Sequence, residues 1–384
     1  MHVPFHRAYM RQDEMRGAIK AIKSGWITMG PMTVEFEDKF KAYVGAKYAI
    51  AVNSCTAALH LALEAIGVKE GDEVIVPAIT FTATAEVVCY FKAKPVIVDV
   101  EKSTLNINIR KIKEKITSKT KAIITVDYGG QAVDYAEILK IAKKHKLFVI
   151  EDAAHTLPSW YKGKKVGTLA DITCFSFYAT KTLATGEGGM ITTNNLRWAE
   201  RMKIMRLHGM NRDAWKRYDK GGSWYYEVIE AGYKYNTTDI NSALGLVQLK
   251  KLEFMWKKRR AIAQAYDSSF KKIPEIITPV IKEDRVTSWH LYVIKLNLEL
   301  LLINRARFIE ELAKQGVCAS VHFIPLYRHP FYRDKFKYKM EQFPDSEWAY
   351  ERIVSLPIFP GMTKFQVKQV VNTVRDIIRK YRNV

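Results

Sequence analysis

KAIITVDYGGQAVDYAEILKIAKKHKLFVIEDAAH, residues 121–155, carries the reading of the fold. Its first six residues are a β-branched run of the kind buried on both faces of a parallel sheet. Residues 135–145 then place apolar side chains at helical spacing, and Phe148-Val149-Ile150 opens a second apolar run that leads into Glu151-Asp152. Strand, helix and strand within about thirty residues form the repeating unit of an α/β sheet.

The alternation extends outward from there. Upstream, 48–52 reads as a strand and 56–66 as a helix with one apolar face; 73–76 is a strand stopped by Pro77. Residues 95–100 (PVIVDV) form another buried-type strand, and 109–116 has helical spacing. Past Leu249 the texture changes. A long charged helical pattern covers 250–270, followed by a strand at 289–296, a helix at 304–314, a strand at 317–322 and a last helix at 364–380. The expected architecture is an α/β large domain, residues 1–249, with a mostly parallel central sheet flanked by helices, and a smaller C-terminal α+β domain, residues 250–384. A cleft between two such domains is a common place for a cofactor.

Composition narrows the function classes. The 384-residue chain carries 61 Lys and Arg against 40 Asp and Glu, a formal charge of +21. That field attracts polyanions, whether nucleic acid, anionic membrane or a phosphorylated small molecule. The basic residues are spread along amphipathic segments such as 108–116 and 136–146, which reads as a solvated surface. A basic nucleic-acid-binding protein, independent of any cofactor, is the distant alternative. It needs a basic stripe with interleaved aromatics, and the best candidate, Trp215-Lys216-Arg217-Tyr218, is short. The four cysteines have no metal-ligand spacing, and Cys89, Cys174 and Cys318 read as reduced core residues, so no metal site is expected. The start, Met1-His2-Val3-Pro4-Phe5-His6, is unlike a signal peptide, and Asn53, Ser54, His60 and Glu64 interrupt the most apolar stretch, 49–68. A cytoplasmic protein without a membrane span is expected.

Three segments at strand ends carry unusual chemistry, in the place where open α/β sheets collect ligands. In Asn53-Ser54-Cys55-Thr56, hydroxyls stand where a helix begins, and its free N–H groups suit an anion. A plain helix cap is the favoured reading of this segment taken alone. In Glu151-Asp152-Ala153-Ala154-His155, Asp152 can approach the ring nitrogen of a flat cofactor and hold it protonated, with His155 nearby. A capping aspartate beside a satisfied histidine is the bland alternative. In Ser176-Phe177-Tyr178-Ala179-Thr180-Lys181, an apolar run delivers one lysine to a turn rich in glycine, Gly186-Glu187-Gly188-Gly189. Schiff-base chemistry needs such an amine in its neutral form, which desolvation favours.

With those three in order, the chain resembles the pyridoxal phosphate (PLP)-dependent nucleotide-sugar aminotransferases of the DegT–StrS type, within the aspartate aminotransferase superfamily (fold type I). The resemblance runs from Ser24-Gly25-Trp26-Ile27-Thr28-Met29-Gly30-Pro31 through Thr80-Phe81-Thr82-Ala83-Thr84 and Arg206-Leu207-His208-Gly209. It continues in Gly232-Tyr233-Lys234-Tyr235-Asn236-Thr237-Thr238-Asp239-Ile240 and closes on Pro360-Gly361-Met362-Thr363. It implies that Lys181 is the Schiff-base lysine and proton carrier, Asp152 the pyridine-nitrogen partner, and His155 the neighbour of the phenolic oxygen. It further implies Phe81 as the stacking ring and Ser54, Thr56 and Ser176 as phosphate ligands, with Cys55 standing where relatives often have a glycine or another small residue. Asn236 matches a residue that reaches the phosphate of the neighbouring subunit, which implies a homodimer with shared active sites. Trp26, Thr28 and His322 match substrate-side positions. The segment 126–134 departs from the family's usual histidine-containing version.

A lysine at 181, where related sugar dehydratases have histidine, implies transamination. The implied reaction moves an amine from L-glutamate to a nucleotide-linked keto-sugar, for surface polysaccharide or glycan biosynthesis. A UDP-linked 4-keto sugar is favoured, and a dTDP- or GDP-linked 3- or 4-keto-6-deoxyhexose is the alternative.

Overall fold

The computed structural model describes residues 2–211 and 225–383, and Trp215-Lys216-Arg217-Tyr218 lies outside the described residues. The chain opens with helices α1 (Gln12–Lys23) and α2 (Pro31–Val44), then alternates: β1 (Tyr48–Val52), α3 (Cys55–Ala65), β2 (Glu73–Pro77), α4 (Ala83–Tyr90), β3 (Lys94–Val98), α5 (Ile109–Lys115), β4 (Thr120–Val126), α6 (Tyr135–His145) and β5 (Phe148–Asp152). Two short strands follow, β6 (Trp160–Tyr161) and β7 (Lys164–Lys165), before β8 (Ile172–Ser176), β9 (Gly189–Thr193) and α7 (Leu196–Met205). The 32-residue α8 (Asp239–Phe270) leads to β10 (Ile276–Ile277), β11 (Arg285–Val286), β12 (Tyr292–Leu296), α9 (Arg305–Lys314), α10 (Pro330–Phe336), α11 (Pro344–Arg352), β13 (Ile353–Leu356) and α12 (Lys364–Tyr381).

Seven strands make the central sheet in the order β1-β9-β8-β5-β4-β2-β3. The pairs β2–β3, β2–β4, β4–β5 and β5–β8 are parallel, whereas β9 runs antiparallel to both β8 and β1. Both faces of the sheet are covered, as its continuous apolar strands require. Alternate residues serve opposite layers: Val74, Ala122 and Ile150 enter one core with α3 and α7, while Ile75, Ile123 and Val149 enter the other with α2 and α6. A second antiparallel sheet, β10-β12-β13, packs with α9, α12 and the later turns of α8 around Tyr266, Phe270, Phe308 and Val374.

Two elements differ from the sequence reading. The long helix begins at Asp239, not 250, because its first turns are buried against α1 and α2 and carry small or polar residues such as Ser242, Ala243 and Gly245 in place of a charged amphipathic pattern. The strand expected at 317–322 is reduced to two single bridges, Val317 to Val3 and Ser320 to Ser355, so the segment is shared between two partners and ladders with neither. Among the described residues no helix is long and apolar enough to cross a membrane.

Candidate active site

The carboxyl ends of β1, β2, β4, β5 and β8 point to one edge of the sheet, because antiparallel β9 reverses direction twice relative to its neighbours. A cavity of about 580 Å³ opens there. Ser54, Cys55 and Thr56 reach it after β1, Phe81 after β2, Asp152 and His155 at the end of β5, and Ser176 and Lys181 after β8. His290, Ser320, His322 and Phe323 close it from the C-terminal side, with Phe5 from the N-terminal segment.

Ser54 is the N-cap of α3, its Oγ accepting from Ala57 N–H at 3.0 Å. The cap and the ligand-facing position are therefore the same residue. The amides of Cys55 and Thr56, at the first two helical positions, have no acceptor inside the helix and carry its positive dipole end toward the cavity. Gly189 makes this junction fit: a Cβ there would lie 2.6 Å from the Ser54 carbonyl oxygen. Ser54→Ala is expected to cost about 1 kcal/mol of stability, read as a lower urea midpoint at unchanged slope.

Asp152 is buried, with Oδ2 accepting from the Thr84 hydroxyl at 2.8 Å and Oδ1 from Ala154 N–H at 3.2 Å. Burial raises its pKa, against the lowering influence of Thr84, Ala154 and Lys181. Lys181 lies across the same cavity; desolvation pulls its amine below the ordinary lysine value, and the Asp152 charge pulls the other way. Cys55 points its thiol at Asp152 Oδ1 (3.9 Å) and the Cys174 carbonyl (3.7 Å), and burial raises its pKa well above the ordinary value. It is a neutral filler at this wall, not a nucleophile.

His155 receives the N–H of Gly129 on Nδ1 at 3.3 Å, which places its proton on Nε2. Its ring lies 4.4 Å from that of His290 and stacks on Phe323 at 5.9 Å. Burial, reinforced by Lys181 and His322, holds His155 neutral by pushing its pKa well below 6.5. His322 bonds Ser355 Oγ through Nδ1 (2.9 Å), and burial lowers it to about 4. Phe81 leaves much of its ring open to the cavity, 6.0 Å from Phe323.

Three expected residues lie elsewhere in the subunit. Asn236 bonds its own neighbour, Nδ2 to the Thr237 carbonyl at 3.1 Å, while its Oδ1 is buried without a partner. Thr28 and Trp26 belong to a segment fastened to the start of α8: the Thr28 carbonyl accepts from Asp239 N–H, and Trp26 Nε1 donates to the Met29 carbonyl. The Asp239 carboxylate completes this clasp through Gly30 N–H, Met32 N–H and Thr33. Sequence reasoning gave no role to Thr84, although it stands in the quoted TFTAT motif. His290 and Phe323 were given no role by the sequence, and Gly129 only by its place in the 126–134 segment.

The residues fit PLP. A desolvated lysine, a buried carboxylate and a capped helix N-terminus converge on one cavity, and a glycine is required where β9 meets that helix. Residues 8–375 match the model of the DegT/DnrJ/EryC1/StrS aminotransferase family, and the chain belongs to that family. It is a PLP-dependent sugar aminotransferase. Over 99% of its length it is 54% identical to the uncharacterised protein MJ1066 of Methanocaldococcus jannaschii, covering 98% of that protein. It is 44% identical to the spore coat polysaccharide biosynthesis protein SpsC of Bacillus subtilis, over 98% of this chain and 97% of SpsC. Among solved structures, PseC of Helicobacter pylori, an aminotransferase involved in the biosynthesis of pseudoaminic acid, superposes with a TM-score of 0.92 at 30% identity, covering 99% of this chain and 100% of PseC. Spr1654 of Streptococcus pneumoniae, assigned as a sugar aminotransferase, superposes in its PLP form with a TM-score of 0.93 at 32% identity and 99% coverage of both chains.

Proposed function

We propose that the acceptor is a nucleotide-linked 4-keto sugar, carried most often by UDP, and that the amino donor is L-glutamate. The observation that carries this reading is the desolvated amine of Lys181, which lines with Asp152 a cavity of about 580 Å³ closed in part by residues from the C-terminal part of the chain. A cavity of that size takes a small acid and a sugar in turn. The +21 charge of the surrounding molecule favours a diphosphate-bearing substrate. SpsC and PseC, by the roles in their names, point to surface polysaccharide or glycan biosynthesis as the destination of the amino sugar.

Bound PLP supplies an electron sink that makes the hydrogen on the donor carbon acidic. The chain's own residues do the rest. Lys181 Nζ takes that proton and returns it, acting as general base and then general acid. The Asp152 carboxylate holds positive charge at the ring nitrogen, and His155 presents Nε2–H to the ring's oxygen side. Ser54, Thr56 and Ser176, with the N-terminus of α3, hold the phosphate. Phe81 covers the ring face, and His322 faces the sugar.

The working assembly is a homodimer with shared sites. Its support is twofold: Asn236, Trp26 and Thr28 all lie off their own subunit's cavity, and Met15, Ile19, Ile22 and Ile27 leave an exposed apolar row on and just after α1. The two working units are residues 1–249 and 250–384, joined through α8.

The test is a panel of UDP-, dTDP- and GDP-linked 3- and 4-keto sugars with glutamate, read by mass spectrometry of the product. The UDP-4-keto sugar is expected to be aminated with the highest kcat/KM. A higher value for any dTDP- or GDP-linked sugar overturns the nucleotide assignment, and no product with glutamate overturns the donor.

A further inference from the structure

Behind the cavity, on the β4–β5 seam, two carboxyl groups face each other with no base between them. Asp127 and Glu151 are both fully buried. Each has one oxygen satisfied by ordinary donors. Asp127 Oδ1 accepts from Val133 N–H (2.9 Å) and the Tyr135 hydroxyl (3.1 Å), and Glu151 Oε2 accepts from the Thr173 hydroxyl (2.7 Å). Among the described residues no donor reaches their remaining oxygens, Asp127 Oδ2 and Glu151 Oε1, yet the two side chains are within hydrogen-bonding reach of each other. Two orphaned acceptors deep in a protein cost several kcal/mol in total, at about 1–3 kcal/mol each. One proton between them satisfies both.

The pair lies where it controls the site. Asp127 directly follows β4, and its carbonyl accepts from Gly130 N–H, closing the 128–130 turn. From that turn Gly129 N–H sets the His155 tautomer, and the Tyr128 hydroxyl donates to the His322 carbonyl. The same turn receives Ser159 Oγ, Ser288 N–H and Leu291 N–H, so it also fastens the segment that carries His290. The pair's Asp127 lies in the 126–134 segment, which departs from the version usual in the family the chain resembles.

We propose that Asp127 and Glu151 share one proton across the β4–β5 seam, and that the pair is the positioning element that holds the 128–130 turn and, through it, the ring of His155. The shared proton stands on the buried geometry alone; its consequence for His155 rests on the function proposed above. Among the described residues the titratable groups that face the pair are Tyr135 from α6, Asp152 on β5 and Cys174 on β8, and none is basic. Burial accordingly raises the proton affinity of both members, and the Glu151 charge raises that of Asp127 further.

The sign of the pH effect follows. A carboxyl that keeps its proton in the fold while the unfolded chain releases it near pH 4 gives a stability that is complete at low pH and is lost as pH rises toward the folded value. Between the unfolded and the folded proton affinity, one extra bound proton changes the folding constant by about tenfold per pH unit. In Asp127→Asn the amide N–H replaces the proton, so this part of the slope disappears; Glu151→Gln does the same from the other side.

Infrared difference spectra at neutral pH are expected to show a protonated-carboxyl C=O band in the native protein that is absent from both variants. The unfolding midpoint of each variant is expected to fall less steeply with pH than that of the native protein. Ring nitrogen spectra of ¹⁵N-histidine protein are expected to keep His155 protonated on Nε2 in Asp127→Asn and to lose that preference in Asp127→Ala. No band lost in either amide variant, or unchanged pH slopes, overturns the shared proton. An unmoved His155 signal in Asp127→Ala overturns the positioning role, and if that variant does not fold, loss of the Nε2–H signal in both amide variants overturns it instead. None of these measurements depends on which sugar is aminated, so a failed substrate panel leaves them intact.

Discussion

Lys181→Ala is expected to lower amino transfer by about a thousandfold or more, the upper scale for removing a group that both takes and returns a proton. No other side chain in the cavity can substitute. His155, His290 and His322 are all held neutral by burial, with His322 at about 4, and the Cys55 thiol is pushed well up, so none offers a flexible amine. The loss of the amine also removes the cation nearest Asp152, one of the influences that offset its burial. The check is single-turnover kinetics beside the absorbance spectrum after PLP addition. Native protein is expected to develop a visible band that Lys181→Ala alters. Undiminished turnover in that variant, or no visible band with native protein, sinks the assignment.

Asp152→Asn is expected to lower kcat by about a hundredfold or more, on the scale of removing one preorganised charge-stabilising group, with the fold intact. The fold survives because the carboxyl's neighbours can adapt. Thr84 Oγ1 also bonds Thr80 Oγ1 at 2.7 Å, and either hydroxyl can be the donor, so Thr84 can turn to accept from an amide. Ala154 N–H keeps an acceptor in the amide oxygen. What the variant loses is the negative charge. Lys181 then loses the foremost influence holding its pKa up, and the amine becomes still easier to deprotonate. A thermal midpoint close to native with kcat reduced is the expected pair of results, whereas native kcat places the ring-nitrogen partner elsewhere.

The strand ends were legible in the sequence because their signals are local. A hydroxyl before a helix, a carboxylate after an apolar run and a lysine before a glycine turn each occupy fewer than ten residues, and all three line the cavity with Phe81, His155 and His322. The long helix was legible only over 250–270, where one face meets water and the charge pattern shows; its earlier turns are packed on α1 and α2. Trp26, Thr28 and Asn236 share the motif's sequence order with the cavity residues but not their place, since the Asp239 clasp pins 26–33 to the start of α8.

By itself the sequence determined the α/β alternation and the residues that line the strand ends, because periodicity and short motifs depend on near neighbours, and it determined the reaction class through the family resemblance of its ordered motifs. Lys181, Asp152 and Ser54 were each ambiguous alone, and their order along the chain, with the family resemblance it carries, made them a set. The tertiary structure alone decided what surrounds them. It brought His290 and Phe323 onto His155 across more than a hundred residues and set Thr84 against Asp152. It also brought the side chain of Asp127, just past the end of β4, to that of Glu151 on β5. Contacts of that kind are fixed by strand order and register, and protonation follows from the burial they create.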